Sequence, residues 1–142
     1  MNPRDFLQIA KDLLKIDEPA KCRTAFNRSY YAAYNVGVYL LEEAGIRISK
    51  SYSGHHELND RLGNCGIKML EEAQSKLANL GSQRIKADYR MNDSRVEKIN
   101  NAQKAIKTSE NIIQVFDSYA SNSGKKKIEE GVKKYLKAIS SE

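Results

Sequence analysis

Apolar residues recur along this chain at intervals of three and four and nowhere in sustained alternation, so helices are the expected elements throughout. The first helix has Asn2 as a cap, Pro3 at its first position and Asp5 in its first turn. Phe6, Ile9, Ala10, Leu13 and Ile16 then repeat at helical spacing. The segment "IDEP" breaks this helix and starts a second, with Pro19 in the first turn, which runs to about Ala44 and meets Gly45 as its C′ residue. Cys22, Phe26, Ala33, Val36, Gly37, Leu40, Leu41 and Ala44 cover more than one stripe, which places this helix centrally, with neighbours on several sides.

The stretch "GIRISKSYSGHHELNDRLGNCG" predicts a loop and then a short helix, capped by Ser53, with Leu58 and Leu62 inward and Gly63 or Gly66 at its end. A long helix follows from about Ile67 to Arg90, its inward stripe set by Leu70, Ala73, Leu77 and Leu80. Caps at Asn92 to Ser94 open another, with Val96, Ile99, Ala102, Ile106, Ile113, Phe116 and Ala120 on one face, and "SNSG" closes it. In the tail, "KKKIEEGVKKYLKAI" sets Ile128, Val132, Tyr135, Leu136 and Ile139 against lysines. An amphipathic helix covering the bundle or a partner subunit is expected there, with a membrane-surface or nucleic-acid contact as the alternatives. Gly131 costs that helix about 1 kcal/mol relative to Ala, marking it as the least stable element. The organisation expected is one helical domain over residues 1–122 and a basic amphipathic helix over 123–142.

Composition narrows the partners. Hydrophobic residues make up 40% and charged residues 30%, with 8 Gly and only 2 Pro, a balance that favours a helix-rich globule over disorder. Of the net charge of +6, half belongs to Lys125–Glu142, where six lysines face three glutamates. The remainder is thinly spread, so nucleic acid is permitted as a partner and not demanded. Cys22 and Cys65 lie in separate elements without CxxC spacing, which predicts reduced thiols. No apolar run approaches the roughly 18 residues of a membrane span, and the start lacks a signal-peptide core, so a cytoplasmic protein without membrane contact is expected.

Two anomalies carry the candidate chemistry. In "RTAFNRSYYAAYNVGVYLLEEAG", Arg28 stands with Tyr30, Tyr31 and Tyr34 in a segment that otherwise reads as buried. On the long helix, the phase of the inward stripe brings Gly81, Arg84 and Asp88 onto or beside it. A buried ion needs a partner, and arginine-first is the weaker order for a local pair, so Arg28 is the expected partner of Asp88. The result is an expected polar seam of Arg28, Tyr30, Tyr34, Arg84, Asp88 and Tyr89, able to hold a phosphate and stack a base. His55 and His56 point about 100° apart on a helix, and Glu57 completes no ligand spacing, so neither a metal nor a cofactor is expected. One histidine is expected to cap or line the bundle end while the other faces water. An approach of His56 to the Arg28 and Tyr34 seam in space stays open.

"NRSYYAAYNVGVYLLEEAGI", a short helix bearing histidine, and then "LANLGSQRIKADY" resemble the HEPN domain (higher eukaryotes and prokaryotes nucleotide-binding) over about Leu7 to Tyr119. The resemblance implies an all-α, antiparallel bundle of four to five helices, commonly dimeric, to which the C-terminal amphipathic helix is an addition. Its members divide into metal-independent ribonucleases, many of them toxins or defence effectors and some paired with a nucleotidyltransferase that restrains them, and noncatalytic relatives. The nucleases typically carry an arginine and a histidine separated by four to six residues. Positions 48 to 51, which could hold such an arginine, are Ile48, Ser49, Lys50 and Ser51, and Arg84 is followed by Tyr89 where a histidine would stand.

Two classes follow. A noncatalytic module would bind a nucleotide or assemble with a second copy or a nucleotidyltransferase through Arg28, Tyr30, Tyr34, Arg84 and Asp88. A ribonuclease would cleave RNA without metal, using Arg28 or Arg84 with His56 or Tyr89. The missing arginine and histidine spacing favours the first.

Overall fold

The computed structural model describes residues 1–141, so Glu142, the last residue of the expected tail segment, lies outside the described residues. Six α-helices form the all-α antiparallel bundle: α1 (Asp5–Leu13), α2 (Pro19–Glu43), α3 (Gly54–Gly63), α4 (Lys68–Tyr89), α5 (Ile99–Ser118) and α6 (Asn122–Ser140). A 3₁₀ helix, Ser94–Glu97, lies between α4 and α5. As expected from its broad apolar surface, α2 is the spine and touches every other helix. Its Cys22, Ala25, Phe26, Ala32, Ala33 and Leu41 are all but inaccessible. At its end, Gly45 adopts a φ of 85°, the left-handed conformation of a C′ glycine.

Local readings needed correction in three places. The first helix turns a different face inward: Leu7, Ala10 and Leu14 are buried, while Ile9 and Ile16 are exposed. Both stripes have helical spacing, and the one that meets α2 and α5 wins. Asn2 caps the turn before α1, its Oδ1 accepting from the Arg4 amide at 3.0 Å. The helix expected to start at Asn92–Ser94 starts later. Asp93 instead caps the 3₁₀ helix by accepting from Arg95 N, extended Lys98 intervenes, and α5 begins at Ile99. Finally, "SNSG" opens a helix more than it closes one, because Ser121 Oγ accepts from Gly124 N at 3.1 Å and caps α6.

The tail helix packs on α2 and α3, burying Ile128 and Val132 completely. Gly131 has a packing role that propensity alone misses. A Cβ there would collide with the Cys65 carbonyl, so its absence lets α6 approach the loop after α3. Tyr135 strengthens that junction by donating to Asp60 Oδ1 at 2.6 Å.

Arg23 is the charged residue on which the turn after α4 depends. It is only 9% exposed. Its Nη1 donates to the carbonyls of Ala87 (2.9 Å) and Lys86 (3.3 Å), and its Nη2 to those of Arg90, Met91 and Asp93, each at 3.1 Å. These include carbonyls that the end of a helix leaves without partners. Its Nε also reaches Glu97 Oε2 at 2.8 Å, supplying the counter-charge that burial requires.

Candidate functional site

Three helices bring the polar side chains together. Two successive turns of α2 supply Asn27, Tyr30, Tyr31 and Tyr34, while α4 contributes Arg84 and Asp88 and α3 contributes His55. The close approach of α4 depends on Gly81, where a Cβ would stand 2.9 Å from Cε1 of Tyr30. The ring of Tyr30, 4% exposed, occupies that space.

Around Tyr30 the rings form one cluster. Its hydroxyl lies 2.6 Å from Nδ1 of His55. The imidazole stacks on Tyr34, with centroids 4.3 Å apart and planes at 18°. Tyr31 meets Tyr30, Tyr34 and His55 edge-on. The guanidinium of Arg84 lies 5.3 Å from the Tyr30 centroid and 5.4 Å from that of Tyr31, within cation–π range. Its Nη1 reaches Asp88 Oδ2 at 3.4 Å, while its buried Nε has no partner.

Asp88 is not paired with Arg28. Arg28 donates from Nε to Asn27 Oδ1 at 2.8 Å and lies over the Phe6 ring, 4.7 Å from its centroid. Asn27 Nδ2 in turn donates to Asp88 Oδ2 at 3.1 Å. An amide thus bridges two groups expected to touch, since a planar amide can accept from a cation on one side and donate to a carboxylate on the other. The arginine-first pair of Arg84 and Asp88 forms after all, because Asn27 supplies the carboxylate with a second donor.

The histidine in the cluster is His55, whereas His56 is exposed and does not reach it. Helical phase contains the signal: His55 precedes Leu58 by three residues and shares its inward face with Leu62. Tyr89, 72% exposed, likewise stands apart from the rings. Asn27 joins the cluster without having been singled out from the sequence, and Tyr31, named with the anomalous segment, joins it although the expected seam omitted it.

The electrostatics keep the centre neutral. Burial pushes the Tyr30 phenol well up, against the opposing pull of the Arg84 cation, so the proton stays on the hydroxyl. Tyr34 is also raised, by burial first and then by Tyr31 and Glu57. His55 moves down, through burial and then through Arg84. A neutral imidazole, a protonated phenol and an arginine therefore share a partly open aromatic surface. Among the described residues, no three His, Cys, Asp or Glu side chains converge as metal ligands would.

A separate groove of about 710 Å³ runs beside the outer face of α2, lined by Pro3, Phe6, Val38, Tyr39, Leu40 and Phe116 among others. Phe6 connects the two regions, because Arg28 covers it. Among the described residues, no helix is long and apolar enough to cross a membrane.

Residues 3–119 match the family model of the HEPN domain. No curated protein and no solved structure matches the chain.

Proposed function

The chain belongs to the HEPN domain family, and from that premise we propose that it is a noncatalytic binding or assembly module. The observation that carries this reading is that Arg84 and His55 already have partners within the cluster. Arg84 is bonded to Asp88 and packed on two tyrosine rings, and Nδ1 of His55 is occupied by Tyr30. A nucleolytic arginine must instead be free to meet charge that develops on a phosphorane. The partly exposed rings of Tyr31, Tyr34 and His55 remain to meet a ligand, and such faces stack a nucleobase or pack against a partner helix. Assembly would use the adjoining groove, where Tyr39 is 64% exposed. A second copy of the chain or a nucleotidyltransferase is the partner that this reading brings forward.

One observation favours a second reading, a metal-independent ribonuclease. Arg84 and His55 converge on Tyr30 from different helices, an arginine and a histidine paired in space although not in sequence. Highly purified protein incubated with RNA in EDTA separates the two, run beside folded His55→Ala and Arg84→Ala variants. The module reading predicts no cleavage, with nucleotide affinity or partner association weakened in Tyr34→Ala. Cleavage that disappears with either His55→Ala or Arg84→Ala would establish the ribonuclease.

A further inference from the structure

We infer that the outer face of α6 is a docking surface for the phosphate backbone of a single-stranded nucleic acid. The inference rests on a helix beyond residue 119, where the family match ends, and is independent of the aromatic cluster. Most of the apolar side of α6 is taken up by the bundle, through the complete burial of Ile128 and Val132 and the close approach at Gly131, while Ile139 near its end is exposed. What faces outward is predominantly positive, five lysines around one carboxylate. Lys126, Lys127, Lys133, Lys134 and Lys137 are all exposed. At about 100° per residue they occupy an arc of roughly 120° opposite the buried side, and from Lys126 to Lys137 they extend about 16 Å along the axis. Lys133 is paired, with Glu129 at 3.5 Å. The other four make no ion pair among the described residues. Glu130 is the one carboxylate within the arc.

The character of this face selects the partner. A protein partner would need an aromatic or aliphatic anchor at the centre of its contact, and the lysine arc has none. A membrane surface would need an apolar face to insert, and the apolar face of α6 is mostly turned inward, with a single isoleucine, Ile139, exposed near its end. A phosphate backbone needs neither. It requires cations spaced along a track, and a flexible single strand bends to follow one. Because the helix is tied down at Gly131 and by Tyr135 to Asp60, the lysines are presented on a rigid support. Lysine ammoniums read phosphate and not bases, so the binding is indifferent to sequence.

The test is fluorescence anisotropy of a labelled oligouridylate titrated with the full chain across a salt series. Lys126→Gln, Lys134→Gln and Lys137→Gln are combined in one variant, and Glu130→Gln is made separately. With about 0.7 counterions released per phosphate contact, the triple variant is expected to lower the slope of log affinity against log salt by about 2, and affinity at low salt at least tenfold. Glu130→Gln is expected to tighten binding, an opposite response that a folding defect cannot imitate. Unchanged slope and affinity in the triple variant would overturn the inference. So would lysine-dependent capture of acidic vesicles, or of an acidic protein, by a chain that does not bind the oligouridylate.

Discussion

The hydroxyl of Tyr30 on α2 stands 2.6 Å from Nδ1 of His55 on α3, joining the spine of the bundle to the short helix that closes one end. Burial and Arg84 both lower the affinity of His55 for a proton, from an ordinary value of 6.5. Below pH 6.5 the unfolded chain therefore binds more protons at this position than the folded one. The stability linked to His55 is complete above that pH and is lost as pH falls through the lowered folded value. Urea denaturation from pH 7 to 5 is expected to show a decline that is smaller in His55→Gln. Equal declines in both proteins would show that the imidazole titrates as it does in the unfolded chain. The Asp93 carboxyl, held at about 2 chiefly by Arg95, acts in a separate window below 3.8.

Arg23 should be the most sensitive charged position in the fold. Removing it leaves Glu97 without its counter-ion and several carbonyls after α4 without their donor. Arg23→Met is expected to cost about 3 kcal/mol. Glu97→Gln should cost less, about 1 kcal/mol, because that carboxylate is more accessible and the amide still accepts. Chemical denaturation of the two variants and of the double variant measures both terms and their coupling. An Arg23→Met protein as stable as the parent would refute the role given to this residue.

Gly131 separates propensity from packing. Helix propensity alone makes Gly131→Ala stabilising by about 1 kcal/mol. The close approach of the Cys65 carbonyl reverses the sign, and a net loss of about 1–3 kcal/mol is expected as α6 is pushed off the loop after α3. Thermal unfolding followed by circular dichroism decides it: a higher midpoint in the alanine variant would mean that the contact is easily relieved.

Much of the architecture was legible in the chain because it depends on periodicity. The breadth of apolar positions on α2 marked it as central, and "RSYYAAY" with "RIKADY" marked the family. The same periodicity placed Tyr30, Tyr34, Arg84 and Asp88 on facing surfaces. The spacing of His55 from Leu58 and Leu62 holds the inward signal, yet His56 was the candidate expected at the seam, and only the packing of α3 against α2 shows that His55 is the one that reaches it.

What only the tertiary structure decided is which groups touch. Helical phase gives the direction of a side chain and not its neighbour, so it could not show that Asn27 intervenes between Arg28 and Asp88. Nor could it reveal Arg23, whose burial is tolerable because carbonyls from Lys86 to Asp93 are folded back around it. The start of α5 and the need for glycine at position 131 have the same origin. Each is determined by a main chain distant in sequence and near in space, and the cost of an unsatisfied or overlapping atom there outweighs the local preference of the residues themselves.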